Sequence, residues 1–117
     1  MKTMIPELIK RRASGQLEDF CLHHRDKLTC PHVDLLTSWE ENAVTLEVRD
    51  GCNPPHPIAR FCYSADLGQW SLFAPHDATA WRPCLDVQPS LNLEKLLAYL
   101  EADPLNLFWP PSFTCFS

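Results

Sequence analysis

Apolar residues recur every three or four positions through the first 25 residues, which is the spacing of one face of an amphipathic helix. We therefore predict a helix over residues 4–25, with Pro6 in the first turn, where its missing N–H costs nothing. Gly15 weakens the middle of this helix by about 1 kcal/mol relative to alanine, so tertiary packing must stabilise it. The apolar positions are Ile5, Leu8, Ile9, Ala13, Leu17, Phe20, Cys21 and His24.

After Pro31 the spacing changes from 3.6 to 2, which is typical of half-buried strands. Residues 33–39 and 44–49 each alternate apolar and polar side chains, and the polar stretch Glu40-Glu41-Asn42 separates them. Two alternating runs joined by a short polar turn predict an antiparallel hairpin.

Three further strands are predicted downstream of a proline-rich loop at residues 50–57. Residues 58–64 and 69–74 form the third and fourth strands, and Gly68 is free to adopt the positive φ of the turn between them. A short fifth strand is predicted around residues 79–82, where Pro83 places it at an edge of the sheet.

A second helix follows, because four leucines fall at positions i, i+3, i+4 and i+7. Ser90 or Asn92 is the predicted N-cap, and Asp103-Pro104 ends the helix. The four leucines are Leu93, Leu96, Leu97 and Leu100.

The order of helix, four or five antiparallel strands and helix predicts an α+β fold in two layers. Each helix has one apolar face, so we expect both helices to pack on the same face of a meander sheet. We predict one domain over residues 1–117, with an apolar C-terminal tail at 104–117.

Apolar and aromatic positions of the strands, of the closing helix and of the residues after it form a recognisable pattern. They are Leu46-Glu47-Val48-Arg49, Ile58-Ala59-Arg60-Phe61-Cys62-Tyr63, Gln69-Trp70-Ser71-Leu72-Phe73, Asp77, Trp81, residues 93–97, Asp103-Pro104 and Phe108-Trp109. In these positions the chain resembles a bacterial family of small proteins, the domain-of-unknown-function family 3024, over about two thirds of its length. The resemblance implies one compact domain with this order of elements, and it implies no site residue.

Composition and charge exclude several classes of protein. Of the 117 residues, 45% are hydrophobic and 21% charged, which excludes a disordered chain. No apolar run reaches the roughly 18 residues of a membrane-spanning helix. The net charge of −5 argues against nucleic acid as a partner. Polar and acidic residues interrupt the basic N-terminal segment, so we expect no signal peptide and a cytoplasmic protein.

The six cysteines are expected to be reduced, because nothing in the sequence indicates secretion and a domain of this size has a core of its own. Cys62 falls in a predicted strand and Cys21 in a predicted helix, where a thiol behaves as a small apolar group. The six are Cys21, Cys30, Cys52, Cys62, Cys84 and Cys115.

One catalytic hypothesis is a metal-dependent nuclease that holds a divalent cation with Asp34 and Glu47. Arg49 occupies the place of the usual lysine, but a guanidinium stays protonated and is a poor general base. The alternative is that these charges cover the solvated face of a half-buried hairpin. The sequence has no glycine-rich phosphate loop and no nucleophile elbow, and we predict no cofactor.

A second hypothesis is a metal-clamped adaptor, since cysteines and histidines concentrate in residues 21–32 and in the loop that follows the hairpin. Their spacings do not match the paired Cys-x2-Cys pattern of structural zinc sites, so we assign no metal ligand. The residues concerned are Cys21, His23, His24, Cys30, His32, Cys52 and His56.

The leading hypothesis is a non-enzymatic interaction module. Large aromatic side chains near a terminus often mark an interface, because rigid rings gain burial at low entropic cost. The alternative is that the tail folds over the sheet as part of the core. The expected partner is a protein or a second copy of the chain in a homodimer, and a small ligand between sheet and helices is the other option. The predicted contact residues are Trp81, Phe108, Trp109, Phe113 and Phe116.

Overall fold

Two helices enclose a run of five strands in the chain order of the computed structural model, which describes residues 5–25, 33–50, 54–75 and 80–103. This order confirms the predicted α+β fold, including the fifth strand. The predicted apolar tail at 104–117 lies outside the described residues. The elements are α1 (Glu7–Arg25), β1 (Val33–Trp39), β2 (Ala43–Asp50), β3 (His56–Ser64), β4 (Gln69–Pro75), β5 (Trp81–Pro83) and α2 (Leu93–Ala102).

The strands form an antiparallel meander in which neighbours in the chain are neighbours in the sheet, in the order β1-β2-β3-β4-β5. Strands β1 and β2 pair without interruption from Val33 opposite Asp50 to Trp39 opposite Val44. Consequently β1 and β5 are the two edge strands of the described sheet.

Both helices pack on one face of the sheet, called here the inner face. Alternate residues of the three central strands supply it, since Val44 lies opposite Phe61, and Phe61 lies opposite Leu72. All three side chains are almost completely buried. They share one apolar cluster with Leu17 of α1 and Leu96 of α2, as the predicted two-layer packing requires.

A β-bulge between β2 and β3 adds one residue to the inner face. The register shifts between Leu46 and Glu47, with Leu46 opposite Ala59 and Glu47 opposite Pro57. Ile58 lies between these pairs, and both Ile58 and Ala59 are fully buried. Strict alternation along β3 would put the neighbours Ile58 and Ala59 on opposite faces of the sheet. A bulge changes that count because two residues on one strand oppose a single residue on the other.

Helix α1 begins at Glu7 and buries a narrower face than its sequence predicted. Ala13, Leu17 and Phe20 are buried, but Leu8 is 76% exposed. At 3.6 residues per turn, Leu8 lies about 140° around the helix axis from Ala13, so it faces away from the sheet. The expectation that Leu8 belongs to the apolar stripe is therefore wrong.

Helix α2 has defined caps at both ends. The side-chain oxygen of Asn92 accepts a hydrogen bond from the Glu94 N–H at 3.0 Å, which selects Asn92 from the two predicted N-caps. At the other end Asp103 adopts a left-handed conformation (φ 40°, ψ 59°), and its N–H donates to the Tyr99 carbonyl oxygen at 2.8 Å. All four leucines of the predicted stripe are buried.

Neither helix in the described ranges combines the length and the apolar character needed to cross a lipid bilayer. Cys62 and Cys84 are free thiols in the described part of the chain. Cys30, Cys52 and Cys115 lie outside the described residues.

Candidate interaction surface

Strand β1 is a long edge strand with few of the features that keep proteins from pairing edge to edge. Among the described strands only β2 pairs with it. Its seven residues, Val-Asp-Leu-Leu-Thr-Ser-Trp, include one charge, Asp34, and no proline. No bulge interrupts its register with β2. Natural edge strands are usually short, charged, bulged or broken by proline, because an open row of backbone N–H and C=O groups is a template for another strand.

The opposite side of the sheet is protected. Strand β5 has three residues and ends at Pro83, which cannot donate a backbone hydrogen bond. The chain then continues along β4, where the Cys84 N–H donates to the Leu72 carbonyl oxygen at 2.9 Å. Farther on, Trp70 and Ser90 exchange two backbone hydrogen bonds of 2.8 and 3.0 Å. The free side of β4 is therefore satisfied along most of its length.

An open groove of about 460 Å³ follows the edge of β1 that no described strand pairs with. Three consecutive residues of β1 line it, although alternate residues of a strand point to opposite faces, so the groove runs along the edge and not over one face. Leu22 of α1 is 61% exposed here, while Leu35 and Leu36 are half-buried. The lining residues are Glu18, Cys21, Leu22, Leu35, Leu36 and Thr37.

The residues just before α1 and the N-terminal half of α1 both contact the end of the β1–β2 hairpin. The Ile5 N–H donates to the Glu41 carbonyl oxygen at 3.1 Å, in the turn between β1 and β2. The Lys10 ammonium lies 5.3 Å from the centre of the Trp39 ring, within the range of a cation–π interaction. These contacts fix the angle of α1 to β1, and the groove lies between the C-terminal half of α1 and β1.

The sequence of the chain matches the model of a protein family. The model of DUF3024, a domain of unknown function, matches residues 5–110. The protein belongs to the DUF3024 family. The match confirms the resemblance inferred from the apolar and aromatic positions. No curated protein and no solved structure matches the chain.

Of the predicted contact residues in this DUF3024 domain, only Trp81 lies in the described ranges. It is half-buried on β5, on the outer face of the sheet, which is the face opposite the helices. The Arg60 guanidinium carbon lies 5.9 Å from the Trp81 ring centre, and Arg60 Nη1 lies 2.9 Å from Glu40 Oε1. One side of the indole is thus occupied within the domain. Phe108, Trp109, Phe113 and Phe116 lie outside the described residues.

The carboxylates of the nuclease hypothesis lie on the outer face of the hairpin. Asp34 is opposite Arg49, with 4.0 Å between Oδ2 and Nη2, and Glu47 is opposite Leu36. Among the described residues no three His, Cys, Asp or Glu side chains converge on a point that could hold a metal ion. The pairing of Asp34 with Arg49 matches the alternative interpretation, a partly solvated sheet face with paired charges.

The cysteines and histidines of the adaptor hypothesis are only partly described. Cys21 is half-buried in the groove, and His23 is exposed, its Nδ1–H donating to the Asp19 carbonyl oxygen at 2.9 Å. His56 is exposed at the start of β3. Cys30, His32, Cys52 and the side chain of His24 lie outside the described residues.

A second depression, of about 330 Å³, lies between the two helices, and residues of the helices alone line it. It is therefore distinct from the space between sheet and helices in which a small ligand was expected. Phe20 and Leu97 form its apolar part, and Asp19, Glu94 and Glu101 give it an acidic rim. None of the residues that line this depression is both buried and polar, so the lining does not indicate a particular ligand.

Tyr99 links α2 to the segment that follows β5 through a hydrogen bond. Its hydroxyl donates to Asp86 Oδ2 at 3.3 Å. Partial burial raises the pKa of Tyr99, and the neighbouring Cys84 thiol and Asp86 carboxylate raise it further. The phenol therefore stays protonated as a hydrogen-bond donor at neutral pH.

Sequence reasoning missed Leu22 and Leu36 as surface candidates. Leu22 lies off the predicted helix stripe, and Leu36 occupies one of the positions that the alternation in residues 33–39 assigns to polar side chains. Residues 33–39 contain no proline and no lysine, which the sequence shows directly. Their absence indicates an unprotected edge only when β1 is known to be an edge strand.

Proposed function

We propose that this DUF3024 protein is a non-enzymatic interaction module that binds protein partners by adding an extended strand to β1. The observation that carries the proposal is the seven-residue edge of β1, which no other described strand covers, beside a groove lined by the exposed side chain of Leu22. Self-association and a cytoplasmic location belong to the same proposal.

Strand addition explains both the long edge of β1 and the groove beside it. Backbone hydrogen bonds to the edge supply affinity that depends little on the partner's sequence, and pockets for alternate side chains supply specificity. The groove offers such a place, because apolar side chains of α1 and β1 line it together. The protected side of β4 and β5 offers neither an open edge nor a comparable length of strand.

Trp81 and the tail residues Phe108, Trp109, Phe113 and Phe116 are proposed as a second contact region. Trp81 supports this in part, because its ring is only partly buried on the outer face, where Arg60 covers one side. This region is separate from β1, which lies at the opposite edge of the sheet.

Amide hydrogen exchange of the full chain tests strand addition at β1. The probes are short extended peptides of alternating valine and threonine, and the protein is measured at low and high concentration with and without them. We expect slower exchange in β1 on adding a peptide or on raising the protein concentration, because pairing converts outward N–H groups into hydrogen-bonded ones.

A matched pair of variants makes the experiment specific. Leu36→Lys places a charge on the edge of β1, whereas Leu67→Lys makes the same change at an exposed leucine of the β3–β4 turn. Protection of β1 should weaken in the first variant and persist in the second. Exchange in β1 that is the same at every concentration and with every peptide would refute the proposed function.

A further inference from the structure

We infer that the strand added to β1 is the β1 of a second copy of this chain, paired antiparallel about a twofold axis that passes beside Leu36. This inference rests on the proposed function and names its partner. It would join two five-stranded sheets into one continuous sheet of ten strands. Closed twofold pairing is the commonest symmetry of protein oligomers.

The sequence of β1 is complementary to itself in one register. In antiparallel pairing about Leu36, Asp34 lies opposite Ser38, Leu35 opposite Thr37, and Leu36 opposite the same residue of the copy. All seven residues of the strand then have a partner, since Val33 falls opposite Trp39. The only charge of the strand faces a neutral hydroxyl.

Charge selects this register against its neighbour centred on Asp34. There two carboxylates would face each other, and like charges directly opposite in a sheet are destabilising. Registers centred on Leu35 or Thr37 avoid that repulsion but leave end residues of the strand without a partner. The register about Leu36 is the one that combines full overlap with no like-charge pair.

Exposed Leu22 supports a second copy as the occupant. A twofold axis perpendicular to the sheet keeps the inner faces of both copies on the same side, so the two α1 helices approach each other across the junction. Leu22 lines the groove on that side and is 61% exposed. Pairing of β1 with its copy places an apolar surface beside Leu22. In the monomer this side chain is exposed to water.

Two substitutions at one exposed residue test the register without disturbing the core. Ser38→Lys would face Asp34 of the copy, and Ser38→Asp would face the same carboxylate with a like charge. Each pair occurs twice in the dimer. Sedimentation velocity of the full chain should show a dissociation constant lowered by about 2- to 30-fold for lysine and raised by a similar factor for aspartate. Added salt should reduce both effects.

A mixing experiment tests the position of the axis. Leu36→Lys and Leu36→Glu should each weaken the dimer, because identical charges meet at the axis, while the equimolar mixture should form a heterodimer. Circular dichroism of each variant checks that the fold is intact. If either variant fails to fold, the two Ser38 variants test the same register alone.

Several outcomes would overturn the inference. They are a wild-type chain that stays monomeric at high concentration, a dimer whose affinity is indifferent to both Ser38 variants, and Leu36 variants that do not complement each other. A monomer whose β1 amides are protected by the valine–threonine peptides would overturn the self-pairing and leave the proposed function standing. A monomer whose β1 amides are not protected by the peptides would refute both the self-pairing and the proposed function.

Discussion

Two of the three glycines occupy positions where the backbone decides the effect of a side chain. Gly15 is in the middle of α1, exposed, and a Cβ built there meets nothing within 4 Å. Gly68 has a φ of +63° in the turn between β3 and β4, and its N–H donates to the Ser64 carbonyl oxygen at 2.7 Å. The first glycine loosens a helix, and the second is required by its turn.

Gly15→Ala should stabilise the protein by about 1 kcal/mol, because alanine reduces the backbone freedom of the unfolded chain and fits the helix without a clash. Thermal unfolding should show a melting temperature higher by roughly 4 °C. Gly68→Ala is the matched control, since a Cβ there has room but the left-handed conformation costs about 1–2 kcal/mol. A lower melting temperature for Gly15→Ala would contradict the described position of this residue.

At the scale of elements, short-range signals set where α2 begins and ends. Asn92 caps its N-terminus, and the left-handed Asp103 closes its C-terminus through the Tyr99 carbonyl. Four buried leucines then fix which face meets the sheet. A ten-residue helix is marginal on its own, so its stability depends on this packing together with its caps.

Asn92→Ala should destabilise the protein by about 1 kcal/mol, because it leaves the Glu94 N–H without its side-chain acceptor. Chemical denaturation should show a lower midpoint with an unchanged slope. Asn92→Asp keeps the acceptor and should stay close to the wild type. Equal losses in the two variants would show that the side chain acts other than as a cap.

At the scale of the whole molecule, the two edges of one sheet have opposite properties. The β5 edge is short, ends in Pro83, and is extended by backbone hydrogen bonds from Cys84 and Ser90. The β1 edge is long, has a regular register and lies beside an apolar groove. Within the described part of the chain, β1 is therefore the edge at which the domain can add a strand.

Self-pairing through β1 should make the melting temperature of the full chain rise with protein concentration, because association stabilises only the folded state. Differential scanning calorimetry over a series of concentrations measures this. The dependence should be much weaker in Leu36→Lys and unchanged in Leu67→Lys. A wild-type melting temperature that is constant across the series would speak against the dimer.

Much of the fold could be predicted from the sequence because the signals are local. The change of period after Pro31 marks the passage from helix to strand, Gly68 marks a turn, and the spacing of the four leucines of α2 marks a helix face. Each depends on residues close together in the chain. The helices and strands, their antiparallel order and the two-layer packing follow from such signals with few alternatives.

The candidate site depended on tertiary structure. Ile58 is in the core only because a bulge shifts the register of β3, and Leu8 is exposed because α1 presents a narrow face to the sheet. Leu22 and Leu36 become candidate contact residues because β1 is an edge strand. That position is set by which strands pair and by which segment covers the far side of β4. The sequence by itself determined the helices and strands, because their signals are local. Contacts between distant residues decided which edge of the described sheet has no further strand beside it.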